Sequence, residues 1–333
     1  MKYSVILPVR NGGEYVKACI NSILSQSLQD FNVLVLDNCS TDGTGEWLAS
    51  LQHEKIIIIP AHKPLSIEEN WGRIKDASKN EFITLIGHDD LLYPDFLENI
   101  NHLIEQYPDA SLYHTHFNFI DAAGKVIRKS KPMNSLLTSN DLLKGFLTQS
   151  VDSMGTGYVM RAKDYDAMGG IPVKYPNLLF ADFELWFSLT QKGGMAVDAN
   201  TSFAFRVHQS TTGTSQDYKL HKALELYVDF LAVLKNTDKE KEALILKHAN
   251  ELLSFYCKGF CHRLLRTATE KRDGITVNTF IDRTKLLAKK LGIEKIYHPE
   301  NIASVRIAKL IDSSKITRAA FLFFKKLYSK PVM

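Results

Sequence analysis

An α/β fold with a helical appendage is what this sequence predicts, and three observations lead to it. Over the first hundred residues, short apolar runs alternate with stretches whose apolar residues recur at helical spacing. The runs are apolar throughout, as in strands covered on both faces, which argues for a parallel sheet. Beyond Gln216 only helical spacing remains. The expected organisation is a sheet-bearing domain over residues 1–216, divided near residue 106, followed by a helical region over 217–333.

Taken in order, Tyr3 to Val9 is the first strand, interrupted by Pro8 and followed by Arg10. Glu14 to Gln26 is the first helix, with Tyr15, Ala18, Cys19, Ser22 and Ile23 at helical spacing. Phe31 to Leu36, Lys55 to Ile59 and Phe82 to Ile86 read as further strands; Gly43 to Leu51 and Ile67 to Ser78 read as the helices between them. This is a Rossmann-like half. Short strands follow from Ala110 to about Arg128, with a turn at Gly124. Phe180 to Lys192 is a helix with Leu185, Leu189, Phe183, Trp186 and Phe187 on its apolar face, and a strand from Met195 ends in the block Phe205-Arg206-Val207-His208-Gln209-Ser210. Leu220, Leu224, Tyr227, Leu231 and Leu234 open the helical region, which continues over about 240–266, 276–291 and 303–328.

Composition narrows the function classes. With 45 % hydrophobic and 23 % charged residues the chain is an ordinary globular one. Its N-terminal apolar run is too short for a signal peptide, and no stretch approaches the ~18 apolar residues of a membrane span; a cytoplasmic protein is expected. Four scattered cysteines, Cys19, Cys39, Cys257 and Cys261, do not form a disulfide framework. The net charge of +4 hides an uneven distribution: residues 303–333 hold seven Lys or Arg against the single acid Asp312. The rest of the chain is slightly acidic, so a general nucleic-acid-binding surface is not indicated.

Polar groups cluster where strands end, the side on which open α/β sheets bind ligands. Pro8-Val9-Arg10-Asn11-Gly12-Gly13 follows the first strand and Asp37-Asn38-Cys39-Ser40-Thr41-Asp42-Gly43-Thr44 the second. Both stretches also read as turn and helix-cap chemistry. Asp37 fits that reading least, because an acid at a strand's last position is placed to accept from a base or a ribose. After the fourth strand come Asp89 and Asp90. Adjacent carboxylates repel unless a cation lies beside them, so a divalent ion is one reading and a helix cap the other. No G-x-G-x-x-G, P-loop or Gly- and Lys-rich triphosphate loop is present. His114 and His116 share a strand face, where zinc binding competes with the plainer role of a half-buried polar side. Cys257, Cys261 and His262 pose the same choice between a metal cluster and small buried helix residues.

Read together, VILPVRNGGEYVKACINSILSQSL, VLDNCSTDGT and FITLIGHDDLLYPDFL resemble the N-terminal half of the family 2 glycosyltransferases, enzymes of GT-A fold with a mixed sheet flanked by helices. The resemblance implies that the Pro8, Val9 and Asn11 loop and Asp37 hold the base of a nucleotide-sugar, most readily a UDP-sugar. It implies that Asp89 and Asp90 hold the ribose side and a Mn²⁺ or Mg²⁺ on the diphosphate. Two departures stand out: Asn38 replaces a common second acid, and Gly87 stands where the D-x-D motif usually begins.

Further blocks are similar to that family. FADFELWFSLTQK resembles the E-D-x-E-L-W helix whose Asp is the general base, here Asp182, with Ala181 for the usual Glu. By itself an acid in a first helical turn needs no role beyond the helix dipole. FRVHQS matches the spacing of the third metal block, which makes His208 a ligand beside Asp89 and sets Arg206 near the diphosphate. One carboxylate activating the acceptor hydroxyl implies inversion at the anomeric carbon. The region around Ser153 to Arg161, with its two glycines, is expected to shape the acceptor side. The implied acceptor is a glycan or lipid-linked hydroxyl in bacterial surface polysaccharide synthesis. Phe321 to Phe324, Leu327 and the basic residues suit either peripheral contact with an anionic membrane or a helix packed on the protein with a solvated basic side. The rival from another class is a catalytically silent nucleotide-sugar-binding module, which the lost first acid of D-x-D would favour.

Overall fold

The structure, a computed structural model, describes residues 1–208 and 216–328, with side chains through residue 325. It divides into two compact units, Met1–Leu142 with Val151–Ser210, and Leu143–Ser150 with Thr211–Met333.

The first unit is built on a ten-stranded sheet. Strands β1 (Tyr3–Val9), β2 (Phe31–Asp37), β3 (Ile56–Ile58) and β4 (Phe82–Leu85) are parallel, in the order β3-β2-β1-β4. Every residue of β1 is buried, because it lies between β2 and β4. At the edge, β3 pairs only with Val33 to Val35 and is shorter than its apolar run. Helix α1 (Gly13–Leu24) buries Val16, Cys19, Ile20 and Ile23. Its buried stripe is therefore offset from the expected one, and Tyr15 and Ala18 lie off it. Each fully buried aliphatic side chain of this kind is worth about 1.5–3 kcal/mol. Helix α2 (Thr44–Ser50) follows β2. Helix α3 (Ile67–Gly72) starts on a capping box of Ser66 and Glu69, then tightens into a 3-10 turn over Arg73–Asp76. The single helix expected over 67–78 ends there, as Arg73 reaches back to the carbonyls of Ile59 (2.6 Å) and Pro60 (2.9 Å).

The other half of the sheet is mixed. Strands β5 (Leu91–Leu92), β6 (Leu112–Ile120), β7 (Val126–Lys129), β8 (Leu136–Leu137), β9 (Tyr158–Arg161) and β10 (Met195–Arg206) complete it. The strands expected from Ala110 to about Arg128 are the nine-residue β6, held parallel to β10 along its length, and the short β7, which turns back at Gly124 to pair antiparallel with β6. Antiparallel β9 joins the halves by pairing with both β4 and β6. Helices α4 (Phe96–Gln106), α5 (Ser139–Thr148), α6 (Ala162–Ala167) and α7 (Ala181–Gly193) connect these strands. Phe96 and Phe117 pack on Phe203 at ring separations of 6.1 and 4.7 Å, anchoring α4 and β6 on β10.

The second unit contains α8 (Asp217–Lys235), α9 (Lys239–Arg266), α10 (Val277–Leu291), α11 (Ala303–Asp312) and α12 (Lys315–Tyr328). The five apolar residues that mark α8 in the sequence, Leu220 to Leu234, are all buried. Cys257 and Cys261 are fully buried with their sulfurs 4.0 Å apart, and the Thr284 hydroxyl lies 3.8 Å from the Cys257 sulfur; they are packing residues of α9. Among the described residues no helix is long and apolar enough to cross a membrane.

Candidate active site

The carboxyl ends of β1, β2 and β4 place three loops along one edge of the parallel half. Strand order reverses about β1, the switch point at which such sheets open a ligand crevice. The first two loops are stitched together. Asn11, in a left-handed conformation with φ 54°, donates its N–H to Ser40 Oγ (2.9 Å), and its side-chain oxygen accepts from Thr41 N–H (2.8 Å). Ser40 Oγ in turn donates to Asp37 Oδ1 (2.6 Å), so Asn11 and Asp37 are joined through one serine. Thr44 Oγ1 and Asp42 accept from the N–H groups of Gly12 and Gly13. These bonds hold the Asp42 carboxyl below the usual range, first through the Thr44 hydroxyl. Pro8 and Val9 are buried in β1, and Val9 meets this site through its carbonyl, which accepts from Asn38 N–H (2.9 Å). The Asn38 side chain is spent on Leu65, donating to its carbonyl and accepting from its N–H.

At the end of β4 the two aspartates separate. Asp89 Oδ2 lies 2.6 Å from His208 Nε2, and both side chains are about one-fifth exposed. Asp90 is only 2 % exposed. Its Oδ1 accepts from Arg206 N–H (2.8 Å) and its Oδ2 from Thr156 Oγ1 (2.5 Å), so both oxygens have protein donors. Burial, then the adjacent Asp89 charge, pushes the Asp90 carboxyl well up. Grouped with Asp89 as a metal ligand on sequence grounds, Asp90 sits here as a brace between the end of β4, the 153–158 segment and the end of β10. Gly87 is explained by the same turn: a Cβ there would lie 2.8 Å from Asp89 Oδ1 and 3.0 Å from Asp90 Oδ2. Arg206 is 6 % exposed; its guanidinium donates to the carbonyls of Asp89 (2.7 Å), Asp121 (3.0 Å) and Ala122 (3.1 Å). Tyr15 covers the pair, its ring 4.8 Å from the Arg206 guanidinium and 5.1 Å from the His208 ring. The remainder of the FRVHQS block, Gln209 and Ser210, lies outside the described residues.

The helix that carries Asp182 is tied to the Asp89–Asp90 turn through the segment from Ser153 to Tyr158. Thr156, besides holding Asp90, accepts from Gly87 N–H (3.0 Å). Two residues on, Tyr158 stacks on Trp186 of α7 at 4.3 Å, and the Trp186 indole donates to the Met154 carbonyl (3.1 Å). One segment thus grips the Asp90 carboxylate at Thr156 and helix α7 at Met154 and Tyr158. Gly157, at φ 84°, makes this possible: a Cβ there would lie 2.4 Å from the Phe203 ring. Asp182 occupies the first turn of α7, its Oδ1 accepting from Phe183 N–H (3.0 Å). Burial raises its carboxyl to about 6, against the lowering effect of helix N–H groups. The two histidines of β6 have structural partners: His114 Nδ1 is 2.8 Å from the Gly157 carbonyl, and His116 Nδ1 is 2.9 Å from the Asp198 carbonyl.

The residues present fit a divalent ion. Asp89 and His208 offer a carboxylate oxygen and an imidazole nitrogen side by side in a half-buried position. Among the described residues no group of three or more His, Cys, Asp or Glu is gathered for a metal. Sequence reasoning missed Thr156 and Tyr15. A threonine between two glycines carries no chemical signal, and Tyr15 was counted into the apolar stripe of α1.

A parallel half joined by an antiparallel strand to a mixed half, with an acidic turn after the fourth strand, is the GT-A arrangement. Residues 4–167 match, and belong to, the family described as Glycosyl transferase family 2. An uncharacterized glycosyltransferase of Rickettsia conorii, RC0461, is 26 % identical over 215 residues, covering 62 % of this chain and 34 % of that protein. This chain thus spans about a third of that relative's length. The putative teichuronic acid biosynthesis glycosyltransferase TuaG of Bacillus subtilis is 27 % identical over 213 residues, 60 % of this chain and 77 % of TuaG. The fold is similar to that of S. aureus TarS 1–349 in complex with UDP-GlcNAc, with a TM-score of 0.68 at 15 % identity, over 97 % of this chain and 92 % of that one.

Proposed function

We propose that this protein is a metal-dependent, inverting glycosyltransferase that moves a sugar from a nucleotide-sugar, most readily a UDP-sugar, to a hydroxyl of a glycan or lipid-linked acceptor. The observation that supports it most is the link, through residues 153–158, between the turn that carries Asp89 and Asp90 and the helix that carries Asp182. The nucleotide class is supported by the UDP-GlcNAc complex of TarS, and polysaccharide synthesis by the description of TuaG.

In this reading Asn11 and Asp37, with the backbone of Pro8 and Val9, meet the base and ribose. Asp89 and His208 would hold Mn²⁺ or Mg²⁺, which when bound offsets the negative charge that grows on the departing diphosphate. Asp90 keeps the Asp89 turn, Thr156 and the end of β10 in register. Arg206, fixed by three carbonyls, adds a positive field that needs no reorganisation as the leaving group separates. Asp182 takes the proton of the acceptor hydroxyl while its oxygen bonds to the anomeric carbon and the bond from that carbon to the diphosphate oxygen breaks. A single displacement of this kind inverts the anomeric configuration. The missing first acid of D-x-D gives little support to a silent module, because a Cβ at position 87 would lie 2.8 Å from Asp89 Oδ1 and 3.0 Å from Asp90 Oδ2, so this turn with glycine keeps both carboxylates where they are. Work on a lipid-carried acceptor would bring a cytoplasmic enzyme to the inner membrane face, with peripheral contact through the basic C-terminal helix.

The test is release of nucleoside diphosphate from UDP-GlcNAc and other nucleotide-sugars in the presence of Mn²⁺, with and without EDTA. EDTA is expected to abolish release. Asp89→Asn should lose donor affinity, whereas Asp182→Asn should bind donor normally and lose turnover by about 10²–10⁴-fold. Full transfer by both variants would end the site assignment.

A further inference from the structure

The C-terminal helices turn an apolar face outward. In α12 Ile316 is 82 % exposed, Phe323 63 % and Phe324 59 %, and Ala319 and Ala320 between them are exposed as well. These positions follow the i, i+3, i+4, i+7, i+8 spacing of a single apolar stripe. The inward side carries Arg318, Phe321, Leu322 and Lys325. Arg318 is held there by the Thr267 carbonyl and the Thr269 hydroxyl. Helix α11 does something similar: Val305 and Ala308 are buried, while Ile307 and Leu310 are 55 % and 64 % exposed. Apolar side chains thus lie on the outer as well as the inner side of α12, and in part of α11 they face outward too.

The charge around this face has one sign. Arg306, Lys309 and Lys315 are exposed beside it. The one acid between residues 303 and 328, Asp312, is directed inward. Its Oδ1 lies 2.7 Å from Arg272, and its Oδ2 accepts from Val277 N–H at 2.8 Å. Glu270, on the neighbouring turn, acts on Arg318, which faces inward.

We propose that the outer face of α11 and α12 docks on an anionic phospholipid bilayer. Ile307, Leu310, Ile316, Phe323 and Phe324 enter the boundary between headgroups and acyl chains, and Arg306, Lys309 and Lys315 meet lipid phosphates. Charge selects this occupant over a second copy of the chain, since a symmetric pair would set like cations against each other. The proposal deepens the peripheral contact suggested above. It draws on the enzymatic reading only for a reason to visit a membrane.

The experiment is co-sedimentation of the full chain with vesicles of phosphatidylcholine alone and of phosphatidylcholine mixed with phosphatidylglycerol, at low and high salt. Binding is expected to the anionic vesicles only, and to weaken with salt. Phe323→Ser with Phe324→Ser, and separately Lys309→Glu with Lys315→Glu, should each lower the vesicle partition coefficient about tenfold or more. Donor hydrolysis in solution should be unchanged in both variants. Equal binding to neutral vesicles, or no binding, overturns the proposal. So does analytical ultracentrifugation in which the wild type self-associates and the Phe variant is monomeric, because that makes a second copy the occupant. A chain that binds vesicles without hydrolysing any donor leaves this surface standing and removes the enzymatic reading; the reverse result does the opposite.

Discussion

Asp89 and Asp90 are adjacent in the chain, and their surroundings give them different work. Asp90 is enclosed with a donor on each oxygen, while Asp89 pairs with His208 and is about one-fifth exposed. Asp182 differs again: no neighbouring charge contributes to its shift, which comes from burial against helix N–H groups. A carboxyl at about 6 is protonated below that pH and cannot accept the acceptor's proton there. Transfer should therefore rise with pH through about 6, roughly tenfold between pH 5 and pH 7, and then level off. The sign for stability is opposite. A carboxyl whose folded value is raised stabilises the fold at low pH, and that contribution is lost as pH rises through about 6. Initial rates of diphosphate release across this range, with donor saturating, check the first statement. A flat profile in the wild type would remove Asp182 as the base.

The 153–158 segment is the element on which the site depends, and Gly157 is its pivot. Gly157→Ala puts a methyl group against the Phe203 ring in a conformation with φ 84°. Backbone strain of that kind costs about 1–3 kcal/mol before any packing adjustment. The expected result is a lower thermal midpoint together with weaker Mn²⁺-dependent donor hydrolysis, since Thr156 moves with its neighbour. A variant with wild-type midpoint and activity would show that the segment is free to relax. The same segment marks where sequence reading stops. Strands β1, β2 and β4 are legible because they are central and apolar on both faces, and Asp37 and Asp89 because they stand where apolar runs end, whereas Asp182 and His208 are singled out only by the resemblance of their blocks to the family. The two-residue strands β5 and β8 exist only through pairing with β10, which local sequence does not encode. The stripe of α1 was misjudged for a related reason. Tyr15 is apolar enough to belong to it, but its ring lies against Arg206 and His208, residues nearly two hundred positions away.

At the scale of the whole molecule, the chain joins a sheet unit whose strand ends gather acids to a helical unit whose last segment gathers bases. The basic segment stays folded partly because its single acid is spent internally. Asp312 and Arg272, 6 % and 2 % exposed in their side chains, form a 2.7 Å pair, and Asp312 also accepts from the N–H that opens α10. Arg272 further donates to the carbonyls of Thr267 and Leu264, so the end of α9, the start of α10 and the end of α11 meet at one ion pair. Removing one member of a buried pair leaves the other charge without compensation, typically at a cost of about 3–5 kcal/mol. Asp312→Ala should therefore lower the thermal midpoint of the helical signal in far-ultraviolet circular dichroism. Donor affinity, measured well below that midpoint, should stay near wild type, because the residues proposed to meet the nucleotide belong to the other unit. Arg272→Met with Asp312→Leu should recover much of the loss, since a buried pair replaced by apolar groups is often neutral. An Asp312→Ala midpoint equal to the wild type would mean that water, not Asp312, balances the Arg272 charge.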